Sequence, residues 1–233
     1  RCRRPGLHLE VEGRVVAVIF SPSSNRIPAI LAMLAGIGGL LAVGAITYWF
    51  SPSFTDVGYQ PEQPVPFSHK LHAGELGLDC RYCHSTVEVA AHAAIPSTAT
   101  CMNCHKYVKA DSPKLELVRN SYASDTPIEW VRVHMLPDYA FFNHSIHVAA
   151  GVGCASCHGR IDQMEVVQQD QPLSMSWCLD CHRNPTPNLR PKGQDLVTKM
   201  DYVPGSEPWC DPAKDKNRGC EVVPPEHCSG CHR

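Results

Sequence analysis

The chain has 233 residues, a formal net charge of -2 and 43% hydrophobic residues, a length for one or two domains and a balance that excludes a charge-driven partner such as nucleic acid. Its 13 Cys and 13 His far exceed what packing needs, while aromatic residues make up only 7% of the chain. A bound group is therefore expected to supply part of the core.

Residues 1–26 form an N-terminal segment carrying Arg1, Arg3, Arg4, Arg14 and Arg26. Residues 27–50 then run for 24 positions without a charged side chain. A helix of that length is ~36 Å long and crosses a ~30 Å hydrocarbon core. The arginines before it, with Tyr48 and Trp49 at its far end, predict a single-pass span in a cell inner or cytoplasmic membrane, N-terminus cytoplasmic. The run is too long for the apolar region of a cleaved signal peptide. Ala32 and Gly36, and Ala35 and Gly39, form small-xxx-small pairs that would let another membrane helix approach closely.

Residues 51–233 are then expected to be periplasmic or otherwise extracytoplasmic, where a thiol oxidises unless it is paired, ligated or covalently used. Twelve of the cysteines fall there, ten of them in five C-x-x-C-H motifs. These are Cys80/Cys83/His84, Cys101/Cys104/His105, Cys154/Cys157/His158, Cys178/Cys181/His182 and Cys228/Cys231/His232. On a helical turn the two cysteines share a face, so both sulfurs can meet the vinyl groups of one porphyrin while the next residue turns its imidazole to the iron. Five haem c groups are predicted, with the five motif histidines as proximal ligands. Zinc is the competing reading, because 17 residues separate Cys83 from Cys101 and 20 separate Cys157 from Cys178. It explains neither the histidine after each second cysteine nor the fifth motif.

Each motif supplies one axial ligand, so sixth ligands must come from elsewhere. Phe67-Ser68-His69-Lys70-Leu71-His72 precedes the first motif and Phe142-Asn143-His144-Ser145-Ile146-His147 the third, marking a duplication of about 67–105 and 142–182. Two histidines three residues apart stand side by side on a helical turn and cannot both take one remaining iron position, so they should serve neighbouring haems. His69, His72, His144 and His147 are thus predicted distal ligands, and His134 is chosen as the fifth by counting. Met164 or Met175 could replace one of them, which would raise that haem's potential. His92 and His227 read as surface residues, and His8 falls on the cytoplasmic side.

Residues 183–233 hold the fifth motif beyond a stretch with eight prolines between Arg183 and Pro225, which argues against long helices there. Cys210 and Cys220 are left over and are expected to pair; Cys2 has no assigned role. The fifth haem is expected near an edge, where electrons come in or leave. With 183 residues from Ser51 onward to serve five haems, no conventional core can form. The predicted fold is mostly α with extensive irregular loop: one transmembrane helix followed by a compact multihaem cytochrome c domain with little sheet.

The paired F-x-H-x-x-H elements, the stretch Val133-His134-Met135-Leu136-Pro137-Asp138-Tyr139 leading into Phe142-Asn143-His144, and Gly159-Arg160-Ile161-Asp162-Gln163-Met164-Glu165-Val166-Val167 together resemble the pentahaem cytochrome c subunit of alternative complex III. The resemblance spans the anchor and nearly all of the soluble part. It implies an electron-transfer subunit, without a catalytic site of its own, of a respiratory or photosynthetic quinol:electron-acceptor oxidoreductase. The implied partners are an iron-sulfur and molybdopterin-like subunit, polytopic quinol-binding membrane subunits, and a downstream cytochrome c, copper protein or oxidase. Two other classes compete. A membrane-anchored multihaem quinol dehydrogenase would oxidise quinol at an open haem, and a multihaem reductase of a small nitrogen or sulfur compound would need a five-coordinate iron, often with an altered motif.

Overall fold

The computed structural model describes residues 10–11, 14–15, 20–191, 197–203, 205–211, 220 and 222–232. Cys2, His8 and the arginines at positions 1, 3 and 4 lie outside the described residues. The chain divides into two units, 1–50 and 51–233.

In the first unit, β1 (Glu10–Val11) pairs antiparallel with β2 (Arg14–Val15). A 3₁₀ turn over Pro22–Arg26 leads into α1, Ile27–Trp49. Pro28 sits in the first turn of α1, where its missing N–H costs no hydrogen bond, and no acidic or basic side chain interrupts the helix until it ends. Because the helix is apolar all round, it has no face to turn to water, and it is long and apolar enough to cross a membrane. Near its end the Thr47 hydroxyl donates back to the carbonyl of Val43 at 2.9 Å.

The second unit is built from short helices that coincide with the cysteine motifs. These are α3 (Cys80–Cys83), α4 (Thr98–His105), α7 (Ala155–His158), α8 (Met175–Arg183) and α9 (Cys228–Cys231), while α2 (Pro52–Thr55), α5 (Glu116–Ser124) and α6 (His144–Ala149) lie between. Caps start several of them: Asp79 accepts from the Arg81 amide, Asn143 from Ser145 and Ser174 from Trp177. The first double-histidine element is a π-helical turn, Lys70–Glu75, rather than an α-helix. The Cys210–Cys220 disulfide is formed, with Cα atoms 5.5 Å apart.

The two duplicated units grip each other reciprocally. The Lys70 amide donates to the Met164 carbonyl at 3.0 Å, and the Ser145 amide donates to the Ala90 carbonyl at 3.2 Å. Lys70 and Ser145 each follow the first histidine of their pair, and each acceptor lies six residues beyond the proximal histidine of the other unit's first motif. Equivalent bonds thus cross in both directions, as a pseudo-twofold arrangement of the repeats requires. Gly74 packs so tightly on the Asp162 carbonyl that a Cβ there would overlap it.

Apolar burial is sparse. Val65, Val118, Val133, Leu189, Met200 and Trp209 are the buried hydrophobic side chains among the described residues.

Candidate haem-binding sites

The phenylalanine that opens each F-x-H-x-x-H element organises both imidazoles. Phe67 stacks on His72 with ring centroids 4.4 Å apart and meets His69 edge-on at 4.8 Å. Phe142 repeats this with His147 at 4.4 Å and His144 at 4.7 Å. One ring thereby holds two histidines nearly at right angles, so they point to different places, as two side chains serving two irons must.

Most of the imidazoles are anchored through Nδ1. His84 Nδ1 reaches the Ala94 carbonyl at 2.8 Å, His105 that of Val108 at 3.0 Å, His182 that of Pro225 at 2.7 Å and His232 that of Tyr139 at 3.2 Å. On the distal side, His72 Nδ1 reaches the Ser68 carbonyl at 2.8 Å, His144 that of Ala91 at 2.8 Å and His147 that of Asn143 at 2.7 Å. A backbone carbonyl accepts only from N–H, so Nδ1 carries the proton and Nε2 keeps its lone pair for a metal. Burial pushes His158 down to about 3 and, with His84 and His72 nearby, His69 down to about 4. It lowers His134, His144 and His147 as well. Neutral imidazoles at neutral pH are what iron requires.

Three proximal and distal rings face one another at a telling distance. The centroids of His72 and His105 are 6.1 Å apart, those of His144 and His158 6.5 Å, and those of His147 and His182 6.2 Å. Two metal–nitrogen bonds of ~2 Å, plus ~1 Å from each nitrogen to its ring centre, give ~6 Å. Each gap is the width of one iron between two imidazoles. In the second unit the first histidine of the pair lies across from the first motif's histidine and the second across from the second motif's, and in the first unit His72 likewise lies across from His105. His69 lies close enough to His84 for their charges to interact.

The protein also fits the acidic edge of a haem. Arg190 is 2% exposed, lies 4.2 Å over the Tyr202 ring, and leaves Nε and Nη1 without hydrogen-bond partners; the buried Tyr202 hydroxyl is likewise unpartnered. Its guanidinium occupies the space a Cβ on Gly153 would need, beside the third motif. A buried cation without a counter-charge costs several kcal/mol. Haem propionates would bring the missing carboxylates. Among the described residues, no three His, Cys, Asp or Glu side chains converge as a metal-ion site.

The motifs adjoin one another through their cysteines. Cys83 interacts with Cys101, Cys80 with Cys154, Cys157 with Cys178 and Cys181, and Cys178 with Cys231. Cys104 of the second motif and Cys228 of the fifth are exposed, whereas the other eight motif cysteines are half-buried.

The sequence profile described as cytochrome c7 and related cytochrome c matches residues 65–121 and 140–233. The chain belongs to that family. This multihaem cytochrome is also 36% identical, over 120 residues, to the "Menaquinone reductase, multiheme cytochrome c subunit" of Nitratidesulfovibrio vulgaris. The aligned part is 51% of this chain and 55% of the relative, so the cytochrome spans about half the length of that curated protein.

Not every histidine singled out by counting lies across from a proximal ring. His134 sits against His158, its Nε2 3.3 Å from His158 Nδ1. The ring neighbour of His232 is Tyr139. Met175 is 66% exposed at the start of α8, and the Met164 carbonyl receives the Lys70 amide. His92 follows Ala90 and Ala91, whose carbonyls hold the start of α6. Asp170 and the carbonyls of Ala94, Val108 and Pro225 carry no sequence signal, because what recommends them is proximity alone.

Proposed function

We propose that this cytochrome is the electron-transfer subunit of a membrane quinone-linked complex, carrying electrons through five c-type haems without a catalytic site of its own. The carrying observation is the repeated pair of imidazoles set 6.1 to 6.5 Å apart with Nδ1 tied back. At the four haems with two facing histidines, an iron held from both sides would supply one-electron chemistry with little rearrangement and no open position for substrate. His84 and His69 would hold the first iron, His105 and His72 the second, His158 and His144 the third and His182 and His147 the fourth, and His232 would hold the fifth. The protein's residues hold the rings, keep them neutral and exclude other ligands.

The cysteine neighbours support a relay in the order second, first, third, fourth, fifth motif. Its two ends are then the second and fifth motifs, which agrees with the exposure of Cys104 and Cys228. The haem domain lies outside the cytoplasm in this reading, supported by the Cys210–Cys220 disulfide and by the arginines that precede α1.

The sequence resemblance to alternative complex III favours quinol oxidation, with an iron-sulfur subunit and polytopic membrane subunits as partners and a cytochrome, copper protein or oxidase downstream. The name of the Nitratidesulfovibrio relative favours the opposite direction, electrons passing through the cytochrome toward menaquinone. Purifying the native complex and adding quinol under anaerobic conditions separates the two. Prompt reduction of all five haems, followed by reoxidation by an external acceptor, is expected for quinol oxidation. An intact mass without five added haems would overturn the common core of both readings.

A further inference from the structure

In the first repeat, His84 Nδ1 donates to a backbone carbonyl, that of Ala94, at 2.8 Å. The equivalent histidine of the second repeat does not follow suit. His158 Nδ1 meets the side chain of His134, Nε2 to Nδ1 at 3.3 Å, with the two rings nearly perpendicular and their centroids 4.4 Å apart. His144 stands 6.5 Å away across the presumed iron position, its ring within 10° of parallel to that of His158. If His158 Nε2 holds iron, its Nδ1 carries the proton, and His134 Nε2 must be the acceptor. An Nε2 spent on that hydrogen bond is not available to a fifth iron.

A third residue stands nearby. Asp170 is close enough for its charge to act on His134. Its carboxylate occupies the space that a Cβ on Gly159 would need, immediately after His158. Gly159 has φ +62 and ψ -158, a backbone region essentially reserved for glycine, so the turn after this motif is shaped around the carboxylate. The first repeat has Ser85 at the equivalent position.

The geometry points to His134 as a positioning residue that accepts the Nδ1 proton of His158, backed by Asp170, rather than as an axial ligand. An imidazole acceptor strengthened by a nearby carboxylate makes the ligating imidazole more electron-donating, which favours ferric iron and lowers the potential of that haem relative to its counterpart in the first repeat. In a relay running second, first, third, fourth, fifth, this tunes the central haem alone.

The inference rests on His158 being an iron ligand, and the test uses the full-length, haem-loaded protein in detergent. Potentiometric titration and electron paramagnetic resonance are compared for wild type, His134→Leu, His134→Gln and Asp170→Asn. Removing the acceptor in His134→Leu should raise one of five midpoint potentials while all irons keep their spin state. Glutamine, which can still accept, should restore much of the wild-type value, and Asp170→Asn should shift the same component upward by less. That component is identified as the one that loses its low-spin signal in His144→Ala. A new high-spin iron in His134→Leu would overturn the inference by making His134 axial, and so would five unmoved potentials. If the leucine variant fails to load haem, an unmoved potential in Asp170→Asn overturns it. Fewer than five haem masses on the wild-type chain would instead defeat the haem-attachment reading itself.

Discussion

Replacing His144 and His147 separately and together by alanine tests the central geometry. The two side chains lie one helical turn apart on α6, yet their rings face different partners, His158 at 6.5 Å and His182 at 6.2 Å. Each single variant should therefore open one iron and no other. Carbon monoxide binding to the reduced protein reads this directly, because an open axial position admits a diatomic ligand. With five motifs in the chain, each single variant should bind carbon monoxide at about one-fifth of the haems above the wild-type level and the double variant at about two-fifths above it, as expected for independent sites. Wild type should bind none at the four proposed pairs. A double variant that binds no more than either single one would mean both histidines serve one iron, and a single substitution that opens two irons would refute the assignment equally.

Phe142→Ala removes the ring stacked on His147 and edge-on to His144; a half-buried phenylalanine with two aromatic neighbours is worth about 2 kcal/mol, which thermal denaturation of the haem-loaded protein should register. Asp79→Ala deletes the cap of α3 and should cost about 1 kcal/mol. Hydrogen bonding from Arg81 holds Asp79 down to about 2, below its unfolded value, so its contribution is present above pH ~4 and is lost as pH falls toward 2; acid titration of the variant should lack that part of the slope. Replacing Cys210 and Cys220 by serine frees a ten-residue loop and should lower stability by up to about 3 kcal/mol, measured as a shift in Tm.

Much of the site was legible because haem attachment is local chemistry. Both thioether sulfurs and the proximal imidazole come from five consecutive residues, so Cys154 to His158 can be read without knowing any contact. The apolar run ending at Trp49 is equally local, since a span is a matter of length and composition. Duplication was visible too, as the repeated phenylalanine and histidine spacing in 67–72 and 142–147.

Which histidine ring lies across from which motif histidine is decided only in three dimensions. Counting placed His134 on the fifth haem because one ligand was wanting and one histidine was spare, but a count is blind to direction. In the fold, His134 Nε2 lies 3.3 Å from His158 Nδ1, a placement that no count of residues conveys. The reciprocal bonds from Lys70 to Met164 and from Ser145 to Ala90 are likewise invisible in sequence, since they join backbone atoms that any residue could supply. Covalent attachment is written in neighbouring residues, whereas ligand pairing and haem order depend on groups distant along the chain, and only packing brings those together.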